Sequence, residues 1–143
     1  MTQARATVPD KGIRSGLNST GSDIAKNVFV ELDADGDPNT IQLPTAGGPA
    51  FGVVVASQVR VNVSPDVGIP DTEIGDIQVE GVAVVLAAGA IPVGSLVMVT
   101  AAGAVIVATA TNTPVGKAVS TGVDTELLEV ELAGPGVGGE LNA

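Results

Sequence analysis

No segment of the chain keeps an apolar residue at every third and fourth position for long enough to build a capped amphipathic helix. Apolar residues instead come in short runs, many of period two, punctuated by Gly, Pro, Asp and Asn, which is the pattern of strands and turns. Val28, Val30 and Leu32 alternate with Asn27, Phe29 and Glu31. A turn through 32–40 leads to a short return strand at 40–43. Residues 51–56 form a continuous apolar run, as a strand buried on both faces would. Residues 58–63 alternate cleanly, and 64–74, with two prolines, read as loop. Residues 76–86 alternate again, with Gly81 at a bulge or barrel corner. Residues 95–100 and 104–109 flank Ala101–Ala102–Gly103, a three-residue hairpin loop with Gly at the left-handed position. Two more strands are expected over 113–120 and 126–132. Roughly eight to ten short strands point to an all-β class, a small β-barrel or β-sandwich with little helix. No repeat with a fixed period of about 20–50 residues is visible, which weighs against a solenoid or propeller.

The core of such a fold has to be aliphatic, because Phe29 and Phe51 are the two aromatic residues. Small aliphatic side chains bury less area each, so burial between subunits would add stability, an argument for an oligomer. The chain contains no His and no Cys. The commonest general base and metal ligand is therefore missing, as is the best side-chain nucleophile. Triad chemistry and thiolate zinc sites are excluded, and the chain is not expected to be an enzyme or to carry a cofactor. No apolar run reaches the ~18 residues of a membrane span, and the opening MTQARATVPDKGIRSG has no apolar core of a signal peptide.

Charge is distributed unevenly. Arg5, Lys11, Arg14 and Lys26 lie in the first 26 residues with only Asp10 and Asp23 as acids, whereas the rest sets Arg60 and Lys117 against 14 carboxylates. A negative body repels nucleic acid. Residues 1–26, broken by Pro9, Gly12, Gly16 and Gly21, read as an extended N-terminal arm, 27–133 as the β domain, and 134–143 as an irregular Gly/Pro-rich tail. The four basic residues of the arm are the candidate contacts to a neighbouring subunit, by strand addition or by ion pairing.

Other motifs are weaker. Asp33, Asp35 and Asp37 alternate in a way that could offer oxygen ligands to Ca²⁺, but Pro38 and Pro44 stand where an EF-hand needs Gly and Glu. An Asp/Gly turn between strands accounts for them more simply. Asp76, Glu80, Glu126, Glu129 and Glu131 fall at solvent-facing positions of alternating strands rather than in an acid/base pair. The Gly-rich tracts at 47–48 and 134–139 lack the Lys-Ser/Thr of a phosphate loop.

The C-terminal half carries a resemblance. Ala88–Gly89, Ile91–Gly94, Val97–Val99, Gly103–Val107, Thr113–Ala118, Gly122 and Val130–Leu132 occur in the order and spacing of the small cement proteins that decorate tailed-phage heads. The chain resembles that family over about residues 50–133. The resemblance implies a small β-barrel-like domain, commonly a homotrimer, bound to the major capsid protein on the outer surface of the shell. It also implies a stabilising role, with neighbouring decoration subunits as further partners. Residues 1–49 exceed the short members of that family. A carbohydrate- or receptor-binding module of a virion or cell surface is the alternative, though sugars usually stack on aromatic platforms that this chain lacks.

Overall fold

A computed structural model describes residues 12–33, 39–57 and 67–133 of the chain. The described residues form twelve strands and no helix, and none of them builds a helix long and apolar enough to cross a membrane. Seven strands come first: β1 (Ile13–Asn18), β2 (Ile24–Ala25), β3 (Phe29–Leu32), β4 (Thr40–Gln42), β5 (Gly52–Ser57), β6 (Val67–Ile69) and β7 (Ile74–Gln78). Five follow: β8 (Val82–Leu86), β9 (Leu96–Val99), β10 (Val105–Val107), β11 (Gly116–Ala118) and β12 (Leu127–Leu132).

Strands β1-β4-β3-β5-β7 close into a barrel, with β2 and β6 paired as a two-stranded ribbon beside it. The remaining strands form a sheet in the order β10-β9-β11-β12-β8. A parallel bridge between Ala87 and Val105 draws the two ends of that sheet together, so it curls into a second, nearly closed barrel.

The two barrels are copies of one plan. In each, the first strand of the barrel runs parallel to the third in chain order, β1 to β4 and the end of β8 to β10, and every other contact is antiparallel. The registers also match. Leu17 faces Ile74 and Ile13 faces Gln78 in the first barrel, as Leu86 faces Leu127 and Val82 faces Glu131 in the second. Individual hydrogen bonds recur. Thr72 N–H donates to the Asn18 carbonyl at 2.7 Å, and Thr125 N–H to that of Ala87 at 2.9 Å. Asn27 N–H reaches the Val54 carbonyl at 3.0 Å, and Gly94 N–H that of Ala118 at 2.7 Å. Left-handed residues recur as well: Asn27 (φ 63°) with Gly94 (90°), Asn39 (68°) with Gly103 (86°), Thr72 (68°) with Thr125 (66°). A shared Asp-Thr-Glu triplet, at 71–73 and 124–126, survives in the sequence at the last of these pairs.

One seam distinguishes the copies. In the first barrel it is shut by Leu17 N–H on the Asn39 carbonyl at 2.8 Å. In the second, the matching donor, Leu86 N–H, turns to the Asn27 carbonyl at 2.9 Å, and the matching acceptor, the Gly103 carbonyl, receives Phe29 N–H at 2.8 Å. Residues 27–29 of the first barrel are wedged into the second. Strands β3 and β5 thereby become a wall between two cores. Val28, Val30 and Val54 face the first core, with Ile24, Ile41, Ile69, Ile77 and Val79. Phe29 and Val53 face the second, with Val85, Val97, Val99, Val105, Val115, Leu128 and Val130. The apolar run expected over 51–56 is therefore buried on both faces where it passes through Val53 and Val54, because each face meets a different core.

The expectation of an arm over 1–26 is corrected from residue 12 onward. Residues 13–18 form β1 inside the closed barrel, and Ile24–Ala25 pairs with β6. Gly16 admits this strand: a Cβ there would meet Ile41 Cγ2 at 2.9 Å and Ile77 Cγ1 at 3.1 Å. Asn18 is fully buried, and its side-chain amide donates to the carbonyls of Ser22 (2.8 Å) and Ile69 (2.9 Å), tying the polar 19–23 loop to β6. The loop expected over 64–74 contains β6, and the strand expected over 76–86 is two strands broken at the corner Gly81 (φ 84°). The expected strand 58–63, the tail 134–143 and residues 1–11 lie outside the described residues.

Candidate functional site

Of the four basic residues singled out in the sequence, the structure describes Arg14 and Lys26. Arg5 and Lys11 lie outside the described residues. Arg14 is an exposed member of β1 opposite Ile77, and Lys26 is half-buried at the corner between β2 and β3. Both belong to the first barrel rather than to a free arm. Asp33 stands at the end of β3, where its N–H donates to the Thr40 carbonyl at 2.8 Å and closes a turn, just as Thr100 N–H does on Ala104 in the second barrel. Asp35 and Asp37 lie outside the described residues, and among those described no group of three or more carboxylates is placed to hold a metal ion. Other acids have structural work: Asp71 accepts from Gly21 N–H and Asp23 from Asp71 N–H, both at 2.9 Å, fastening the 19–23 loop to the β6–β7 turn. Glu80, Glu126, Glu129 and Glu131 are exposed, and Asp76 is half-buried.

What the described surface does offer is aliphatic. Leu32 is 49% exposed and lies with Glu31, Pro49, Ala50 and Phe51 along an open groove of about 370 Å³. The Glu31 carboxylate is held at its rim, accepting from the Gln42 side-chain amide at 2.7 Å and from Thr45 N–H at 2.9 Å. On the second barrel, Val82, Val84 and Leu127 are exposed on β8 and β12, interleaved with Glu129 and Glu131. Lys117 sits across from Leu96 on one side and Glu131 on the other, on that barrel's outer face. Val93 and Val123, at 61% and 50%, protrude from turns next to the Ile91–Gly122 bridge. Exposed aliphatic side chains beside fixed carboxylates suit contact with other proteins.

The sequence could have flagged this surface only indirectly. Leu32 reads as the apolar side of an alternating strand, Phe51 opens a continuous apolar run and Leu96 lies in a hairpin strand, and their exposure follows from which barrel they belong to.

No protein-family model and no curated protein matches the chain. A solved structure does: the N base of the head fiber gp8.5 in bacteriophage phi29, with a TM-score of 0.64 at 14% sequence identity. The match covers 84% of this chain and 92% of that one. At that identity the likeness is one of fold, and it extends over nearly all of both chains.

Proposed function

We propose that the chain is a structural protein of a tailed-phage head, a decoration or cement protein that binds the outer surface of the shell as a homotrimer and bridges capsid subunits. The observation that carries this reading is the fold shared with the base of a phage head fiber across 84% of the chain. The cement-like pattern of residues over 50–133 agrees with it. The mechanism is mechanical. Packed DNA pushes a shell outward, and a rigid body held by several subunits at once gains avidity from each additional contact without any chemistry. Two cores joined by a shared wall make such a body, and exposed aliphatic residues on both barrels provide contact points. The absence of His and Cys accords with a role that needs no catalysis, and the major capsid protein is the partner this reading names.

Co-sedimentation with expanded, undecorated heads tests it. The protein is expected to pellet with the heads and to saturate at a fixed ratio to the capsid subunits. Protein left in the supernatant at every ratio would refute the reading.

A further inference from the structure

The internal copying of the fold exposes a contact that one barrel has satisfied and the other has not. In the second barrel, Val99 and Val115 are buried, at 0% and 4% exposure, and they share a core with Phe29 and Val53 of the first. The matching residues of the first barrel are Leu32 and Phe51, as the ladders and the hydrogen bonds at Phe51 and Val115 fix: Phe51 N–H donates to Val30 at 2.7 Å and Val115 N–H to Val97 at 2.8 Å. Leu32 and Phe51 line the open groove. The outer faces match in the same way. Phe29 and Val53, the residues that insert, are 2% exposed each, and their counterparts Leu96 and Lys117 are half-buried and exposed. One molecule therefore carries one filled socket, one empty socket, and one unused plug.

We infer that the Leu96–Lys117 face of one copy seats in the Leu32–Phe51 groove of a second copy, repeating between molecules the contact that joins the barrels within one. Charge complementarity commits the groove to this occupant. Leu96 and Lys117 are cross-strand neighbours, an aliphatic side chain beside a cation, and the groove has an apolar lining with the Glu31 carboxylate fixed at its rim. Lys117 is the basic residue of the second barrel, in a chain whose net charge is −10. Plug and socket are different surfaces, so the contact is head-to-tail and closes into a ring when the rotation permits. The intermolecular version is made by side chains alone, because the Asn39 carbonyl, where a wedge would bond, is already taken by Leu17 N–H.

The inference rests on the self-association part of the proposed function, and the test separates the two. The chain has no Cys, so single-cysteine variants give clean cross-links. Leu32→Cys and Leu96→Cys are each purified, mixed and oxidised, and solution mass is followed by light scattering. The expected result is a disulfide-linked pair of two chain masses in the mixture and none with either variant alone. Lys117→Glu is expected to reduce the mass of the assembly to that of single chains at the same concentration. A cross-link with Leu96→Cys alone would mean a symmetric contact and overturn the inference. Assembly of the normal mass with no mixed cross-link would overturn it too, and leave the homotrimer standing. Single chains at every concentration, with no cross-link, would remove both. A cross-link from Leu32→Cys to capsid protein on heads, with none between copies, would assign the groove to the shell.

Discussion

The two barrels share circular order, register, turn conformations and hydrogen bonds, yet they treat the same positions in opposite ways. Phe29 is sealed in the second core and Leu96, its counterpart, faces outward. Asn18 is a buried polar staple and its counterpart Ala87 is an apolar core residue. The first barrel shuts its own seam, whereas the second is completed by residues 27–29 of the first. The difference teaches that burial here is decided by what a barrel is docked against rather than by its plan. The plan is fixed by backbone pairing, which the first copy satisfies within itself and the second completes with residues 27–29 of the first. Side chains on the outer wall then turn apolar where a neighbour covers them and polar where water does.

Substitutions at paired positions can break that contrast. Phe29→Ala is expected to cost about 3–5 kcal/mol, the range for removing a buried aromatic. Leu96→Ala in dilute protein is expected to cost no more than about 1 kcal/mol, since a half-exposed side chain loses less transfer energy. Urea denaturation of both variants measures the gap, and equal losses would mean that the shared wall is not the joint.

Gly103→Val comes next. Its φ of 86° disfavours any side chain, and a Cβ there would meet the Phe29 carbonyl at 2.6 Å and Val28 Cβ at 2.9 Å. Strain and overpacking of this kind cost about 2–4 kcal/mol. Asn39→Gly at the matching turn of the first barrel is expected to stay within about 1 kcal/mol of the parent, because glycine adopts that conformation freely. Thermal unfolding distinguishes the two.

Asn18→Ala removes the side-chain donor to the buried Ile69 carbonyl and one of the donors to the Ser22 carbonyl, an expected loss of about 1–3 kcal/mol. Faster amide exchange through the 19–23 loop, with the second barrel unchanged, would localise the effect. The smallest change is expected at Lys117→Val, within about 0.5 kcal/mol for an exposed site in the isolated chain. Val53→Lys, at the matching position, is expected to unfold the joint, and a mild effect there would contradict the burial of Val53.

The all-β class was legible because alternation over 76–86 reports strands that have one wet face. The hairpin through Gly103 was legible from turn chemistry alone. Strand β1 was not, since Ile-Arg-Ser-Gly-Leu-Asn has neither alternation nor β-branched enrichment. It is held by closure of the barrel, through Gly16 and Asn18, and closure leaves no local trace. The duplication leaves little trace in the sequence, because its spacing exceeds that of common repeats and varies with loop length. Of the candidate site, the basic residues were read from charge, and the two that are described, Arg14 and Lys26, belong to the first barrel. The groove could not be read, because Leu32 and Val99 look alike in sequence and only the docking of the barrels makes one exposed and the other buried.

The central claim is that this two-barrel body strengthens a phage shell from outside. The most direct measurement is the temperature at which DNA-filled, undecorated heads release their DNA, followed as the protein is titrated in. The account expects that temperature to rise and to level off at the ratio where binding saturates. Heads that bind the protein to saturation yet release DNA at an unchanged temperature would show a surface ornament and contradict the claim.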